Sequence, residues 1–225
     1  MNEKKQMWTI TSVVILCCIA MAVVDGIIKP HYAIKSVIKL VLFLVMPFLY
    51  SWMNKDIDLK SIFKSDKKGI KMAFLLCIPV YMIILGGYMV FKDVFDFSNI
   101  TSTLTDGIGV NRNNFVAVSL YISFVNSMLE EFFFRGFAFM MLKKVSTVKF
   151  AYIFSSLMFA LYHVAMMIGW FSVWVYLIIL AGLIVGGMIF NYINSKSKSI
   201  YTSWFVHMFA NFAINTVGFI LFEII

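Results

Sequence analysis

Glu130, Glu131 and Arg135 fall within one apolar stretch, Glu-Glu-Phe-Phe-Phe-Arg over residues 130–135. An acid or arginine at the centre of a membrane helix costs about 2.5–3.5 kcal/mol and an apolar residue returns about 0.3–0.6 kcal/mol, so the three groups set roughly 8 kcal/mol against their own helix. Charges at that cost are functional by default, with partners close by. In helical geometry Glu131 and Arg135, four apart, share a face and suit a charge-assisted ion pair. Glu130 points about 100° round the helix and needs a different partner; Asn126, one turn earlier, is placed to orient it. His163 closes the run Phe159-Ala160-Leu161-Tyr162-His163, and His207 is followed four residues later by Asn211. A single histidine in an apolar helix is more often a packing residue than a reactive one. Two histidines, an asparagine and a spare carboxylate on three helices supply a base, a second imidazole and a pair of donors, provided those faces turn inward. His31, in a short connection, is expected to be incidental.

The elements that must position these groups are apolar runs of about 20 residues, the length that spans a hydrocarbon core. Seven can be cut from the sequence, near 7–28, 32–53, 70–91, 115–142, 148–168, 171–194 and 200–222. The fold expected is an all-α, polytopic bundle of about seven transmembrane helices forming a single integral-membrane domain over 1–225. The composition agrees: 62% of residues are hydrophobic and 13% charged, with 24 Phe and 16 Met, which excludes the soluble class. The net charge of +8 does not indicate nucleic acid, because the lysines lie in short runs between apolar segments instead of on one basic face. Cys17, Cys18 and Cys77 sit in apolar stretches and read as small buried hydrophobes, neither a disulfide framework nor a zinc site.

Assigning the loops alternately to two sides puts Lys4, Lys5, Lys55, Lys60, Lys64, Lys67, Lys68, Lys71, Lys143, Lys144, Lys149, Lys196 and Lys198 on one face. The other receives Lys29, Lys35, Lys39, Lys92 and Arg112. The positive-inside rule then gives a cytoplasmic N-terminus and an external C-terminus. Lys4 and Lys5 followed by an apolar run and Ala20-Met21-Ala22 resemble a signal peptide, but apolar residues continue to Ile28, and a retained helix is expected. Residues 53–69 form a basic loop, and 92–114 a longer external one rich in Ser, Thr, Asn and Gly that carries the formal sequon Asn99-Ile100-Thr101. Pro47 and Pro79 fall within spans, where each removes a backbone donor. Gly182 and Gly186, with Gly187 beside them, make a GxxxG for which close helix packing is the expected role.

Glu130-Glu131-Phe132-Phe133-Phe134-Arg135-Gly136 resembles the EExxFRG signature of the CPBP family, the CAAX prenyl proteases and bacteriocin-processing enzymes also called the Abi family. Phe159 to His163 is similar to the family's FxxxH and His207 to Asn211 to its HxxxN, in the same order and each on its own helix. The resemblance covers about 115–215, the expected catalytic core, and no signature position departs from the pattern. It implies proteolysis within the membrane, with Glu130 as general base, His163 helping to polarise the water, and His207 and Asn211 donating to the oxyanion of the tetrahedral intermediate. Glu131 and Arg135 would then be a structural ion pair. Peptide hydrolysis needs these parts: a water made nucleophilic, and fixed donors for a developing oxyanion.

Zinc held by Glu130, His163 and His207, with one position open to water, is the competing form of the same chemistry. The better-understood branch of the family implies the metal-free form, and there is no HExxH here. The partners implied are membrane lipid and a peptide or protein substrate (a leader, a signalling peptide, a C-terminal peptide), with no nucleic acid. The location implied is a multi-pass position in a cell membrane, taken as bacterial. Bacteriocin immunity or membrane scaffolding, by binding instead of cutting, is the alternative function. An ion-coupled transporter fits less well, since paired broken helices and repeated halves are missing from the sequence.

Overall fold

Apolar runs of this length satisfy their backbone only by internal hydrogen bonds, so each of the seven becomes a helix. The computed structural model describes residues 2–54, 57–64, 67–167 and 170–225; Lys55, counted in the basic loop, and residue 168, the expected end of the fifth span, lie outside them. We label the helices α1 (Glu3–Ile28), α2 (Tyr32–Met53), α3 (Lys67–Phe91), α4 (Ser98–Ile108), α5 (Phe115–Val145), α6 (Val148–Met166), α7 (Val173–Ser197) and α8 (Tyr201–Leu221). All but α4 are long and apolar enough to cross a membrane, and there is no strand among the described residues. The all-α bundle of seven spans is borne out.

Local signals explain the ends. The Asn2 side chain accepts a hydrogen bond from the Lys4 N–H (3.0 Å) at the start of α1, and Thr147 does the same for the Phe150 N–H (3.2 Å) at the start of α6. Gly109 ends α4 in the left-handed region (φ 72°), and a Cβ there would also lie 2.5 Å from His31 Nδ1. Helix α4 itself is an addition to the loop expected over 92–114. In α2 the turn Val41–Val45 is π-helical, so the backbone partner of the Leu42 carbonyl would be the N–H of residue 47. Residue 47 is proline, and the Cys17 thiol of α1 donates to that carbonyl instead (3.5 Å).

The bundle packs α3 along α8, α6 against α7, and α1 and α6 around the middle of α5. From Glu131 to Met141, α5 is π-helical, and residues 131–139 are buried on every side. A helix buried all round needs partners all round, and aromatic rings supply them. Phe43 of α2 stacks on Phe133 at 4.1 Å between centroids and meets Phe134 edge-on at 5.4 Å.

Two expectations need correction here. Gly182 and Gly186 face open space, and it is Gly187 that makes the close approach: a Cβ there would lie 3.1 Å from the Ser156 Cα of α6. The register of α7 turns the GxxxG outward and its neighbour inward. Lys35 and Lys39, counted as signals on the loop face, are instead buried in the bundle, where acidic partners hold them.

Candidate active site

Glu130 reaches the centre of the bundle at the junction of the α-helical and π-helical parts of α5, and its side chain is 3% exposed. Its two oxygens have different surroundings. Oε1 accepts from Lys39 Nζ of α2 at 2.5 Å and from Asn126 Nδ2 at 3.0 Å, while Lys39 Nζ also donates to Asn126 Oδ1 at 2.5 Å. Oε2 faces two imidazoles, with His163 Nε2 at 3.7 Å and His207 Nε2 at 3.6 Å. Those separations exceed a direct hydrogen bond and suit contact through a small bridging molecule.

The outer nitrogen of each ring is anchored. His163 Nδ1 donates to the Phe159 carbonyl one turn earlier (2.7 Å), and the Phe159 ring meets the imidazole edge-on at 4.5 Å. The carbonyl can only accept, so Nδ1 carries a proton and Nε2 is turned towards Glu130. His207 Nδ1 lies 2.9 Å from Glu131 Oε1. Glu131 also accepts from the Ser203 hydroxyl, which is held by Asn194: Nδ2 donates to Ser203 Oγ (2.6 Å), and the Ser203 N–H donates to Asn194 Oδ1 (3.1 Å).

Arg135 Nη1 stands 3.4 Å from Glu131 Oε1, with both side chains fully buried. The guanidinium lies over the Phe159 ring at 3.9 Å and 5.0 Å from that of Phe190, and its nitrogens form no hydrogen bond among the described residues. The pair read from the four-residue spacing is present, but Glu131 serves the imidazole as well. Gly136 completes the motif for a packing reason: a Cβ there would lie 2.5 Å from Ile62 Cδ1. Ile62 sits on a short 3-10 turn, Leu59–Phe63, in the basic loop, and its carbonyl accepts from the Ile200 N–H at 3.0 Å.

The structure therefore brings Glu130, His163 and His207 together and sets Glu131 and Arg135 directly behind them. Asn211 is buried one turn beyond His207, where its Nδ2 donates to the Ile122 carbonyl at 3.2 Å. Asn215, a further turn on, donates to the Ser119 carbonyl (3.1 Å) and to Ser123 Oγ (3.0 Å), so this face of α8 is strapped to α5. Sequence reasoning missed Lys39, Ser203 and Asn194. A lysine one turn before Phe43, in a run that is otherwise apolar, was the available signal for the first.

A charge count explains how the bilayer tolerates the cluster. Asp25 meets Lys35 (2.7 Å), Glu130 meets Lys39, and Glu131 meets Arg135, so three carboxylates are matched by three cations without counting either imidazole. A zinc ion at Glu130, His163 and His207 would add two positive charges to a cluster already balanced. No group of three His, Cys, Asp or Glu side chains is placed to hold a metal ion among the described residues, and an ammonium already occupies one oxygen of Glu130. A dication there would stand against that ammonium.

No curated protein and no solved structure matches the chain. Residues 112–213 match the family model described as type II CAAX prenyl endopeptidase Rce1-like. A family of that description supports an intramembrane endopeptidase in general, with a peptide or protein as substrate. The match bears out the resemblance to the CPBP family of intramembrane proteases, over the segment that carries all three motifs.

Proposed function

We propose that the chain hydrolyses a peptide bond of a membrane-associated peptide or protein by a metal-free glutamate mechanism. The observation that carries this reading is the approach of His163 Nε2 and His207 Nε2 to one oxygen of Glu130, at 3.7 and 3.6 Å. A water in that gap touches a carboxylate oxygen and two ring nitrogens. Glu130 Oε2 takes one of its protons while the water oxygen adds to the scissile carbonyl carbon. The proton then goes to the leaving nitrogen as the carbon–nitrogen bond breaks. His163 orients the water. His207, whose Nδ1 proton goes to Glu131, stabilises the oxyanion from Nε2 only with a second ring proton there, and it acts in that form beside the second N–H of the Asn211 amide; the surrounding rings keep the local dielectric low, which strengthens each contact.

In this reading Glu131 and Arg135 support the site from behind, and 115–215 is the catalytic core of a single domain over 1–225. The substrate is a leader, signalling or C-terminal peptide in a bacterial cell membrane, and the N-terminus is cytoplasmic. The charge distribution supports that orientation more strongly once Lys35 and Lys39 are removed from the outer face, which leaves it Lys29, Lys92 and Arg112.

The test is cleavage of a panel of such peptides by the purified protein in detergent, beside Glu130→Gln and His163→Ala. Both variants are expected to remain folded and to lose at least about a hundredfold in rate, the scale of acid–base and oxyanion groups. Parent-like rate in Glu130→Gln refutes the mechanism. Binding of a panel peptide by the parent without cleavage turns the assignment to the immunity or scaffold alternative.

A further inference from the structure

Lys39 comes from α2, outside the segment 112–213 that matches the family model, and it is the cation nearest the carboxylate on which the proposed chemistry turns. Its Nζ donates to Glu130 Oε1 and Asn126 Oδ1, both at 2.5 Å, and stands 4.8 Å from the centre of the Tyr162 ring and 5.4 Å from that of Phe43. The side chain is 3% exposed. Lys35, one turn earlier, is held by Asp25 at 2.7 Å and does not compete for Glu130. The stack of Phe43 on Phe133 fixes the register of α2 on α5: the pair lies one turn beyond Lys39 on one helix and three residues beyond Glu130 on the other.

We infer that Lys39 is a positioning residue of the reaction assigned to Glu130. The two oxygens of a carboxylate are chemically equal until the surroundings distinguish them. Here Lys39 and Asn126 both donate to Oε1, which leaves Oε2 facing His163 and His207. The ammonium thus selects which oxygen meets the water, and it compensates a carboxylate that an apolar helix could not otherwise keep at this depth. This rests on Glu130 being the base. It adds that a helix outside the motif-bearing segment supplies part of the machinery.

The experiment uses the full-length protein with Lys39→Met, Lys39→Ala, Lys39→Arg and Glu130→Gln, each read by kcat, KM and melting. Misplacing one reacting group by about 1 Å costs about a hundredfold, so Lys39→Met and Lys39→Ala are expected to lose kcat on that scale, with KM changed less than about twofold. Lys39→Arg is expected to keep more of the rate than either. Added methylammonium restores part of kcat to Lys39→Ala and none to Glu130→Gln. Melting supplies an arm that needs no substrate: Lys39→Met lowers Tm in the parent but raises it in Glu130→Gln, where the lysine is an unmatched buried cation. Parent kcat in Lys39→Met, no response of folded Lys39→Ala to methylammonium, or an equal loss of Tm in both backgrounds overturns the role of Lys39 and leaves the base assignment standing. Full rate in Glu130→Gln overturns the base assignment and this role with it.

Discussion

Nδ1 of His207 lies 2.9 Å from Oε1 of Glu131, the same oxygen that Arg135 approaches to 3.4 Å. One carboxylate therefore neutralises a buried guanidinium and sets the direction of an imidazole that faces Glu130. A purely structural ion pair would affect stability alone. The shared oxygen predicts more: Glu131→Gln lowers the melting temperature and also lowers kcat by about 10–100-fold, the usual cost of losing a group that orients a reactive histidine. Arg135→Ala leaves Glu131 buried without its cation and is expected to cost about 3–5 kcal/mol of stability. Denaturation and single-turnover kinetics on the two variants check this. Parent kcat in well-folded Glu131→Gln would detach the tether from the chemistry.

Asn211 donates one N–H to the Ile122 carbonyl and has a second to offer. If that second N–H serves the oxyanion, Asn211→Ala loses about 10²–10³-fold in kcat with KM little changed. Asn215→Ala, which removes the neighbouring strap to Ser119 and Ser123, is expected to lower melting and leave kcat within a few-fold. A pair of variants that lose only stability would make both residues struts.

Gly136 and Ile62 give a prediction with a change of sign. Ile62→Val alone removes a buried methyl and costs about 0.5–1.5 kcal/mol. In Gly136→Ala the new Cβ lies 2.5 Å from the position of Ile62 Cδ1, the methyl that the valine lacks. Ile62→Val is therefore expected to raise the melting temperature of Gly136→Ala while lowering that of the parent. Thermal melts of the four proteins decide it, and a valine that destabilises both backgrounds equally would rule out the clash.

Chelation distinguishes the two forms of the chemistry. With Lys39 on one oxygen of Glu130, cleavage is expected to survive prolonged treatment with a strong chelator and to gain nothing from added zinc. Loss of rate on chelation with recovery on zinc would reverse the assignment.

The seven spans were legible because hydrocarbon thickness sets the length of an apolar run, and the expected bounds fall within a few residues of the helices formed. Glu130, Glu131 and Arg135 stood out for a related reason: their insertion cost is a property of composition, visible before any contact is known. Lys39 was misread by the same reasoning. A lysine a few residues inside a helix end resembles a residue reaching for the interface, and only the packing of α2 on α5 shows that it turns inward to Glu130. Ser203 and Asn194 were missed because a hydroxyl and an amide carry little insertion penalty, so nothing in a linear pattern marks the chain they form behind Glu131. The GxxxG misled because spacing gives a stripe of small residues but not its direction; Gly187, one position away, meets Ser156.

Because Glu130 draws its counter-ion from α2, the stretch bearing the motifs is not a transplantable unit. A fragment or chimera cut at residues 112–213 would carry the acid and both imidazoles into a foreign bundle and leave Lys39 and the Phe43 ring behind. Grafting this centre onto another scaffold requires bringing the second span along.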